Sequence, residues 1–212
     1  MLVDKKFEKE LDCLAEKQLF YVMKNKGLFS DSTHLSTVQY MNAKNCRNQI
    51  KFNELLYNKL VQYDKDGVYL DIGLGPAFLE LCNSRLGNKL HISTVEWEKQ
   101  VDQFKVVRDE WNVKVDYLCN DILDDDFKIY NCETFYDYVI LQRFFPVYKS
   151  DVTERIDDVL RKFVPYAKKA IIVEADNNWS SDQWKHLLAI SEKRIKVYGS
   201  FNMFSINLEQ YK

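Results

Sequence analysis

The chain has 212 residues, of which 46% are hydrophobic and 14% aromatic, so it can bury one sizeable core. Lys and Arg total 30 against 32 Asp and Glu, which leaves a formal charge of −2. This balance disfavours a nucleic-acid partner, because a protein that grips a phosphate backbone usually carries a basic excess or a basic stripe.

The cysteines and the amino terminus indicate a reducing, aqueous compartment. The five cysteines are scattered and never form a Cys-x-x-Cys pair, unlike a disulfide framework or a structural zinc site. The charged amino terminus lacks the apolar segment of a signal peptide, and no apolar run approaches the roughly 20 residues of a membrane helix. We therefore expect a cytoplasmic protein without a membrane span and without a metal site.

The first 64 residues predict two helices separated by a polar segment. Apolar residues recur at helical spacing from Phe7 to Val22, and again between Arg47 and Tyr63. Residues 28–46 between them are rich in Ser, Thr and Asn and show no periodicity, as in a loop or a mobile lid. The predicted organisation is an N-terminal helix and lid segment, 1–46, followed by a main domain, 47–212.

After Gly67, short apolar runs alternate with helical patterns. The predicted strands of a buried parallel sheet are 68–72, 91–96, 113–118, 136–141 and 170–175. Helices are predicted between the second and third strands and between the fourth and fifth, and Ser180 with Gln183 forms a capping box for another. Two alternating runs around Gly199 predict an antiparallel hairpin.

These elements predict an α/β fold with a seven-stranded, mostly parallel sheet. The antiparallel C-terminal hairpin lies at its edge, helices cover both faces, and the amino-terminal helix forms a cap.

A glycine-rich turn follows the first predicted strand. It reads Asp71-Ile72-Gly73-Leu74-Gly75, and its glycines permit a tight turn and a close approach of the backbone to a ligand. A dinucleotide would place its pyrophosphate on the following helix N-terminus, where the Asp71 carboxylate would repel it. Asp71 instead suits a cationic ligand without phosphate, one that carries an ammonium and a sulfonium group.

Polar residues also follow the next three strands. Glu96 lies about 20 residues beyond the glycine turn, where nucleoside-binding sheets place an acid for the ribose hydroxyls. Trp97 can cover an adenine face or pack in the core, and Asp121 offers a carboxylate to an exocyclic amine. Gln142 follows the fourth strand. All these groups lie at the carboxyl ends of parallel strands, where ligands bind in open α/β sheets.

With this pattern, residues 47–209 resemble the class I methyltransferases that use S-adenosylmethionine. The resemblance implies contacts to the methionine part of this cofactor from Asp71, Gly73 and Gly75. It implies that Glu96 binds the ribose and that Asp121, with the backbone of Ile122, binds the adenine amine. The implied reaction is methyl transfer to a small molecule or a protein, with most of the catalysis supplied by positioning and with no particular catalytic residue required.

Two departures from the family pattern stand out. Pro76 and Ala77 replace the more usual Thr-Gly after the second glycine, which stiffens a turn that we still expect to fit. The fourth strand ends in Leu141-Gln142-Arg143 and lacks the Asp/Asn-Pro-Pro-aromatic signature of enzymes that methylate exocyclic base amines. The sequence therefore argues against that class of acceptor.

Other functions remain open on this sheet. A nicotinamide-dependent oxidoreductase is disfavoured by Asp71. An aminopropyl transferase would have an acidic pair after the fourth strand, where Gln142 and Arg143 stand. A non-catalytic module that binds a nucleoside or a partner is disfavoured by intact acids at the three cofactor positions.

Four residues are candidates for binding the acceptor: His34, Tyr40, Arg143 and Tyr148. Surface or packing roles are equally open to them. His34 and Tyr40 lie in the polar segment, which in the family often folds over the bound cofactor.

We hypothesise that residues 30–45 form a lid that is mobile without ligand and ordered with it, so that closure excludes water from the site. The alternative is a permanently disordered surface loop. Hydrogen exchange of this segment with and without S-adenosylhomocysteine distinguishes the two. Protection that rises on binding supports the lid, and fast exchange in the saturated protein contradicts it.

Overall fold

The computed structural model of the chain describes residues 4–25, 43–142, 152–175 and 179–211. Most of the predicted lid, with His34 and Tyr40, lies in 26–42 and therefore outside the described residues. Arg143 and Tyr148 lie in 143–151 and are likewise outside them.

Strands and helices alternate along most of the described chain. The helices are α1 (Lys5–Lys24), α2 (Ala43–Asp64), α3 (Phe78–Arg85), α4 (Lys105–Glu110), α5 (Val152–Phe163) and α6 (Ser181–Ile190). The strands are β1 (Val68–Ile72), β2 (His91–Trp97), β3 (Tyr117–Cys119), β4 (Tyr136–Leu141), β5 (Ala167–Ala175), β6 (Ser191–Tyr198) and β7 (Phe201–Ile206). The predicted capping box is confirmed, because the Ser180 and Gln183 side chains each accept the other residue's backbone N–H.

The strands described here form one seven-stranded sheet in the order β3-β2-β1-β4-β5-β7-β6. Neighbours among β1 to β5 are parallel, whereas β7 runs antiparallel to both β5 and β6. Gly199, with a φ of 54°, helps to make the short hairpin connection. The predicted fold is thus confirmed, and the carboxyl ends of β1 to β4 meet at one edge of the sheet.

Alternate side chains of the strands pack into two separate hydrophobic cores, one on each face of the sheet. Tyr69 and Ile140 point to the face that is covered by α1, α2 and α3. Leu70, Ile72 and Leu141 point to the opposite face, which is covered by α5 and α6. This period of two is what a sheet buried on both faces requires.

The amino-terminal helix belongs to the first of these cores. Phe7, Leu11 and Leu14 of α1 are buried with Ile50 and Leu56 of α2, which confirms the predicted helical cap. Because α2 begins at Ala43, the predicted boundary between the N-terminal segment (1–46) and the main domain (47–212) falls within the first turns of this helix. None of the helices in the described ranges combines the length and apolar character needed to cross a membrane.

The helix predicted between β2 and β3 begins late, since residues 98–104 form turns and only Lys105–Glu110 is α-helical. Gln18 of α1 accounts for the late start. Its buried side chain donates to the Gln103 carbonyl over 2.6 Å and accepts the Val107 N–H over 3.2 Å. A continuous helix would join these two backbone groups to each other, so Gln18 replaces one helical hydrogen bond and caps α4.

The third strand is also shorter than predicted. Of residues 113–118, only the last two belong to the observed strand Tyr117–Cys119. Thr94 and Asp116 take over the backbone groups that a longer ladder would use. The Asp116 carboxylate accepts the Thr94 N–H over 2.9 Å, and the Thr94 hydroxyl donates to the Lys114 carbonyl over 2.9 Å.

We expect Gln18→Leu to lower the free energy of unfolding by about 1–3 kcal/mol, because it removes the partner of two buried backbone groups while it keeps the side chain's bulk. Chemical denaturation followed by circular dichroism measures the change. Lys17→Leu on the exposed side of the same helix is the control and should cost less than about 0.5 kcal/mol. Equal effects of the two substitutions would refute the capping role.

Candidate functional site

A cavity of about 400 Å³ opens where β1 to β4 end. Its volume falls within the roughly 300–1,000 Å³ that is usual for small-ligand sites. The residues predicted to bind a cofactor all line it: Asp71, Gly73, Gly75, Glu96, Trp97, Asp121, Ile122 and Gln142. The structure therefore brings together side chains that are up to 71 positions apart, while their roles toward a ligand stay predictions.

The glycine turn adopts backbone conformations that only glycine accepts easily. Gly73 and Gly75 have φ values of 75° and 51°, and the Gly73 N–H donates to the Val95 carbonyl of β2 over 3.0 Å. Ala77, which stands where the family usually has glycine, also has a positive φ of 61°. The turn is thus formed despite Ala77, at a cost of about 1 kcal/mol.

The buried carboxylate of Glu96 holds this turn against the end of β2. One oxygen accepts the Gly75 N–H and the other accepts the Trp97 N–H, each over 2.9 Å. Burial raises the pKa of Glu96, and these two hydrogen bonds together with the Arg108 guanidinium, 3.5 Å away, oppose that effect. A carboxylate has about four lone-pair sites, so acceptor sites remain for ligand hydroxyls.

Arg108 lies in the helical pattern between the second and third strands, and the sequence does not mark it as a site residue. It lies buried on α4, where burial lowers its pKa and the Glu96 carboxylate opposes the change. The pairing explains how a charged side chain can occupy this buried position, because buried charges require a partner.

Trp97 was expected either to cover an adenine face or to pack in the core; the packing is observed, and the adenine contact stays a prediction. Its ring packs against the second core and also lines the cavity. Its buried indole Nε1 has no hydrogen-bond partner among the described residues. A ligand acceptor at this position would satisfy a donor that the protein itself leaves unused.

The loop after β3 is held in place from the neighbouring helix. Lys162 of α5 donates to the carbonyls of Ile122 and Asp124 over 2.6 and 2.7 Å. One Asp121 oxygen accepts the Leu123 N–H over 3.0 Å. Lys162 was not predicted, because a lysine in the last turn of an amphipathic helix usually faces solvent.

Two amides of α2 also line the cavity and were not predicted. Asn53 donates through Nδ2 to the Gln49 carbonyl over 2.9 Å, and its buried Oδ1 has no partner among the described residues. The sequence does carry a signal for them, since Gln49 and Asn53 lie four residues apart, beside the buried Ile50. Polar residues on the buried side of a helix frequently serve a site or a buried network.

Glu80, at the start of α3, is a second acid whose carboxyl oxygens are buried, and it lies beside Asp71. The two carboxyl groups lie within hydrogen-bonding reach of each other. Burial, followed by repulsion from Glu80, raises the pKa of Asp71, and burial also raises the pKa of Glu80. Within the described ranges no group of three or more His, Cys, Asp and Glu side chains is arranged to hold a metal ion.

Solved structures of methyltransferases share this fold. The chain is similar to the mitomycin 7-O-methyltransferase MmcR, with a TM-score of 0.59 and 10% identity over 91% of this chain and 67% of that one. It is similar to the N,N-8-amino-8-demethyl-D-riboflavin dimethyltransferase RosA from Streptomyces davawensis, with a TM-score of 0.53 and 10% identity over 79% of this chain and 58% of that one. It is also similar to the plantazolicin methyltransferase BpumL, solved in complex with SAH, with a TM-score of 0.50 and 18% identity over 87% of this chain and 65% of that one.

At these identities the likeness establishes the fold, which is that of the class I S-adenosylmethionine-dependent methyltransferases. The chain spans between 58% and 67% of the length of these three proteins. No protein-family model matches the sequence, and no curated protein is significantly similar to it.

We expect the stability of the protein to fall as the pH rises, because Asp71 and Glu80 have raised pKa values in the folded state. Their unfolded pKa values are about 4, so the contribution is fully present below that pH and is lost as the pH rises through the raised values. Each proton held only by the folded state steepens the fall by about 1.4 kcal/mol per pH unit.

Denaturation between about pH 5 and about pH 9 measures this slope. Glu80→Gln should flatten it, because only one ionisable group of the pair remains. Glu110→Gln, which removes an exposed acid at the end of α4, should leave the slope unchanged. A slope that is the same in all three proteins would show that the pair does not titrate as stated.

Proposed function

We propose that the protein transfers a methyl group from S-adenosylmethionine to a small-molecule or protein acceptor. One observation carries the proposal: on the sheet of a class I methyltransferase, all eight residues expected to hold the cofactor line one cavity. The complex of BpumL with SAH shows that a protein of similar fold binds the demethylated cofactor.

The chemistry of the cavity fits this cofactor better than it fits a dinucleotide. Asp71 is only 3% exposed, and its Oδ1 receives no hydrogen bond from an N–H or O–H group of the described residues. A buried acid in this state attracts the ammonium and sulfonium groups of S-adenosylmethionine and repels a pyrophosphate. The glycine turn therefore favours a ligand that is positively charged at this point.

The other end of the cavity offers groups for a nucleoside. Glu96 retains acceptor sites for ribose hydroxyls while it holds the glycine turn. Asp121, on the loop that Lys162 fixes, has a second carboxylate oxygen for an exocyclic amine. Trp97 can cover the base with its ring or donate through Nε1.

S-adenosylmethionine, when bound, supplies a methyl group that is already activated for in-line attack by a nucleophilic atom of the acceptor. The protein's own contribution is then mainly to hold and orient the two reactants. Glu96 and Gly75 do this rigidly, because the hydrogen bond between them ties the turn to β2. A general base is required only where the acceptor atom must first lose a proton, and we assign none.

We expect Asp121→Ala to weaken the binding of S-adenosylhomocysteine by about 1.5–3 kcal/mol, the scale of a hydrogen bond to a charged group. Asp125→Ala removes an exposed neighbour in the same acidic run and should leave the affinity unchanged. Isothermal titration of both variants and the wild type measures the difference. Equal affinities for the two variants would refute the adenine assignment of Asp121.

The same calorimeter tests the proposal as a whole. Folded wild-type protein should bind S-adenosylmethionine and S-adenosylhomocysteine and should not bind NADH. Binding of NADH alone would favour an oxidoreductase and contradict the proposal. Incubation with methyl-labelled cofactor and a cell extract then identifies the acceptor by the compound or protein that becomes labelled.

A further inference from the structure

We propose that Asp71 and Glu80 share one proton in the ligand-free protein and give it up when a positively charged ligand enters the cavity. The pair would thereby select the sulfonium cofactor over its demethylated thioether product. The identity of the ligand rests on the proposed function, whereas the shared proton rests on the protein alone.

The burial of three carboxyl oxygens supports such a proton. Asp71 Oδ1 and both oxygens of Glu80 are buried, and no N–H or O–H group of the described residues donates to them in good geometry. Burial and mutual repulsion raise the pKa of both groups despite a hydrogen bond from Gln142 to Asp71 and one from the backbone to Glu80, so two ionised carboxylates this close would be strongly destabilised. A hydrogen carried by one carboxyl group and donated to the other removes both the repulsion and the missing hydrogen bond.

Among the described residues, the charges around the pair offer no positively charged partner. Glu96 on β2 adds negative charge beside Asp71, and Asp116, just before β3, adds it beside Glu80. The nearby cation, Arg108, is paired with Glu96 at 3.5 Å. Gln142 donates a hydrogen bond to Asp71 that opposes the rise in its pKa, but its amide is neutral and brings no positive charge.

The proton belongs on Asp71. Glu80 lies in the first turn of α3, where the backbone of a helix favours negative charge. Asp71, by contrast, is near the end of a buried strand. There, burial and repulsion from Glu80 and Glu96 raise its pKa more than the hydrogen bond from Gln142 lowers it. Because Asp71 also lines the cavity, the protonated group is the one that a ligand would meet.

Ligand entry then becomes an exchange of positive charges. The cationic cofactor takes the place of the proton, which leaves to solvent, so that the net charge of the site is preserved. The thioether product carries one positive charge less and has less ability to displace the proton. After methyl transfer the site can take a proton back from solvent, which weakens the hold on the product.

Titration calorimetry in buffers with different heats of ionisation measures the exchange. With the wild type we expect release of close to one proton for S-adenosylmethionine and distinctly less for S-adenosylhomocysteine. The affinity for S-adenosylmethionine should rise up to tenfold per pH unit while the pair still holds its proton. The affinity for S-adenosylhomocysteine should change less over the same pH range.

Glu80→Gln provides the decisive variant. Its amide can donate to Asp71 the hydrogen bond that the proton supplied, so proton release and the tenfold pH slope should both disappear while binding persists. Glu110→Gln should behave as the wild type. Proton release that is the same in wild type and Glu80→Gln, or the same for the two ligands, would overturn the proposal.

Infrared spectroscopy tests the proton without any ligand. A carbonyl band from a buried, protonated carboxyl group should be present in the wild type and in Glu110→Gln and absent from Glu80→Gln. A wild-type protein that binds both ligands but lacks the band would refute the shared proton and leave the methyltransferase proposal intact. A band without binding of either ligand would instead refute the proposed function and the charge exchange.

Discussion

The buried carboxylate of Glu96 is the contact on which the site depends. It joins the glycine turn through Gly75, the end of β2 through Trp97, and α4 through Arg108. Removing one member of a buried pair leaves the other as an uncompensated charge, which commonly costs about 3–5 kcal/mol. Glu96, which we propose binds the ribose, therefore also supports the glycine turn, which would receive the methionine end of the ligand.

The amino-terminal helix is connected to this arrangement through Gln18. By capping α4, Gln18 fixes the segment that carries both Gln103 and Phe104 of the cavity wall and the partner of Glu96. Lys162 does the same for the loop after β3. Two helices from opposite faces of the sheet thus hold the walls of one cavity, and a change at either contact reaches the site through the backbone.

The charge distribution of the cavity explains the kind of ligand that we propose. Asp71, Glu80 and Glu96 are buried together, and Arg108 is the cation paired with one of them. Such a concentration of acids disfavours phosphate groups and favours a ligand with excess positive charge at the glycine turn. The same concentration destabilises the ligand-free protein, because buried carboxyl groups must either keep a proton or repel each other.

Local patterns in the amino-acid sequence predict most of the strands and the starts of the helices. Strands 68–72 and 136–141 match the structure to the residue, because a run of apolar side chains between helical segments has few other stable solutions. The Ser180 capping box and the glycine turn can also be predicted from the sequence, since each depends on residues within a few positions of one another. The alternation of strands and helices then predicts a parallel sheet whose carboxyl edge brings the candidate site residues together.

Which polar groups meet depends on the tertiary structure and has no local signal. Gln18 bonds to residues 85 and 89 positions away, and Lys162 bonds to a carbonyl 40 positions away, so no local pattern reveals either contact. Arg108 lies on a short helix with no sequence signal for its buried partner, and Glu80 looks like an ordinary first-turn acid. Their roles arise because folding removes water from around them, which leaves each charge or amide dependent on whichever partner the fold has placed beside it.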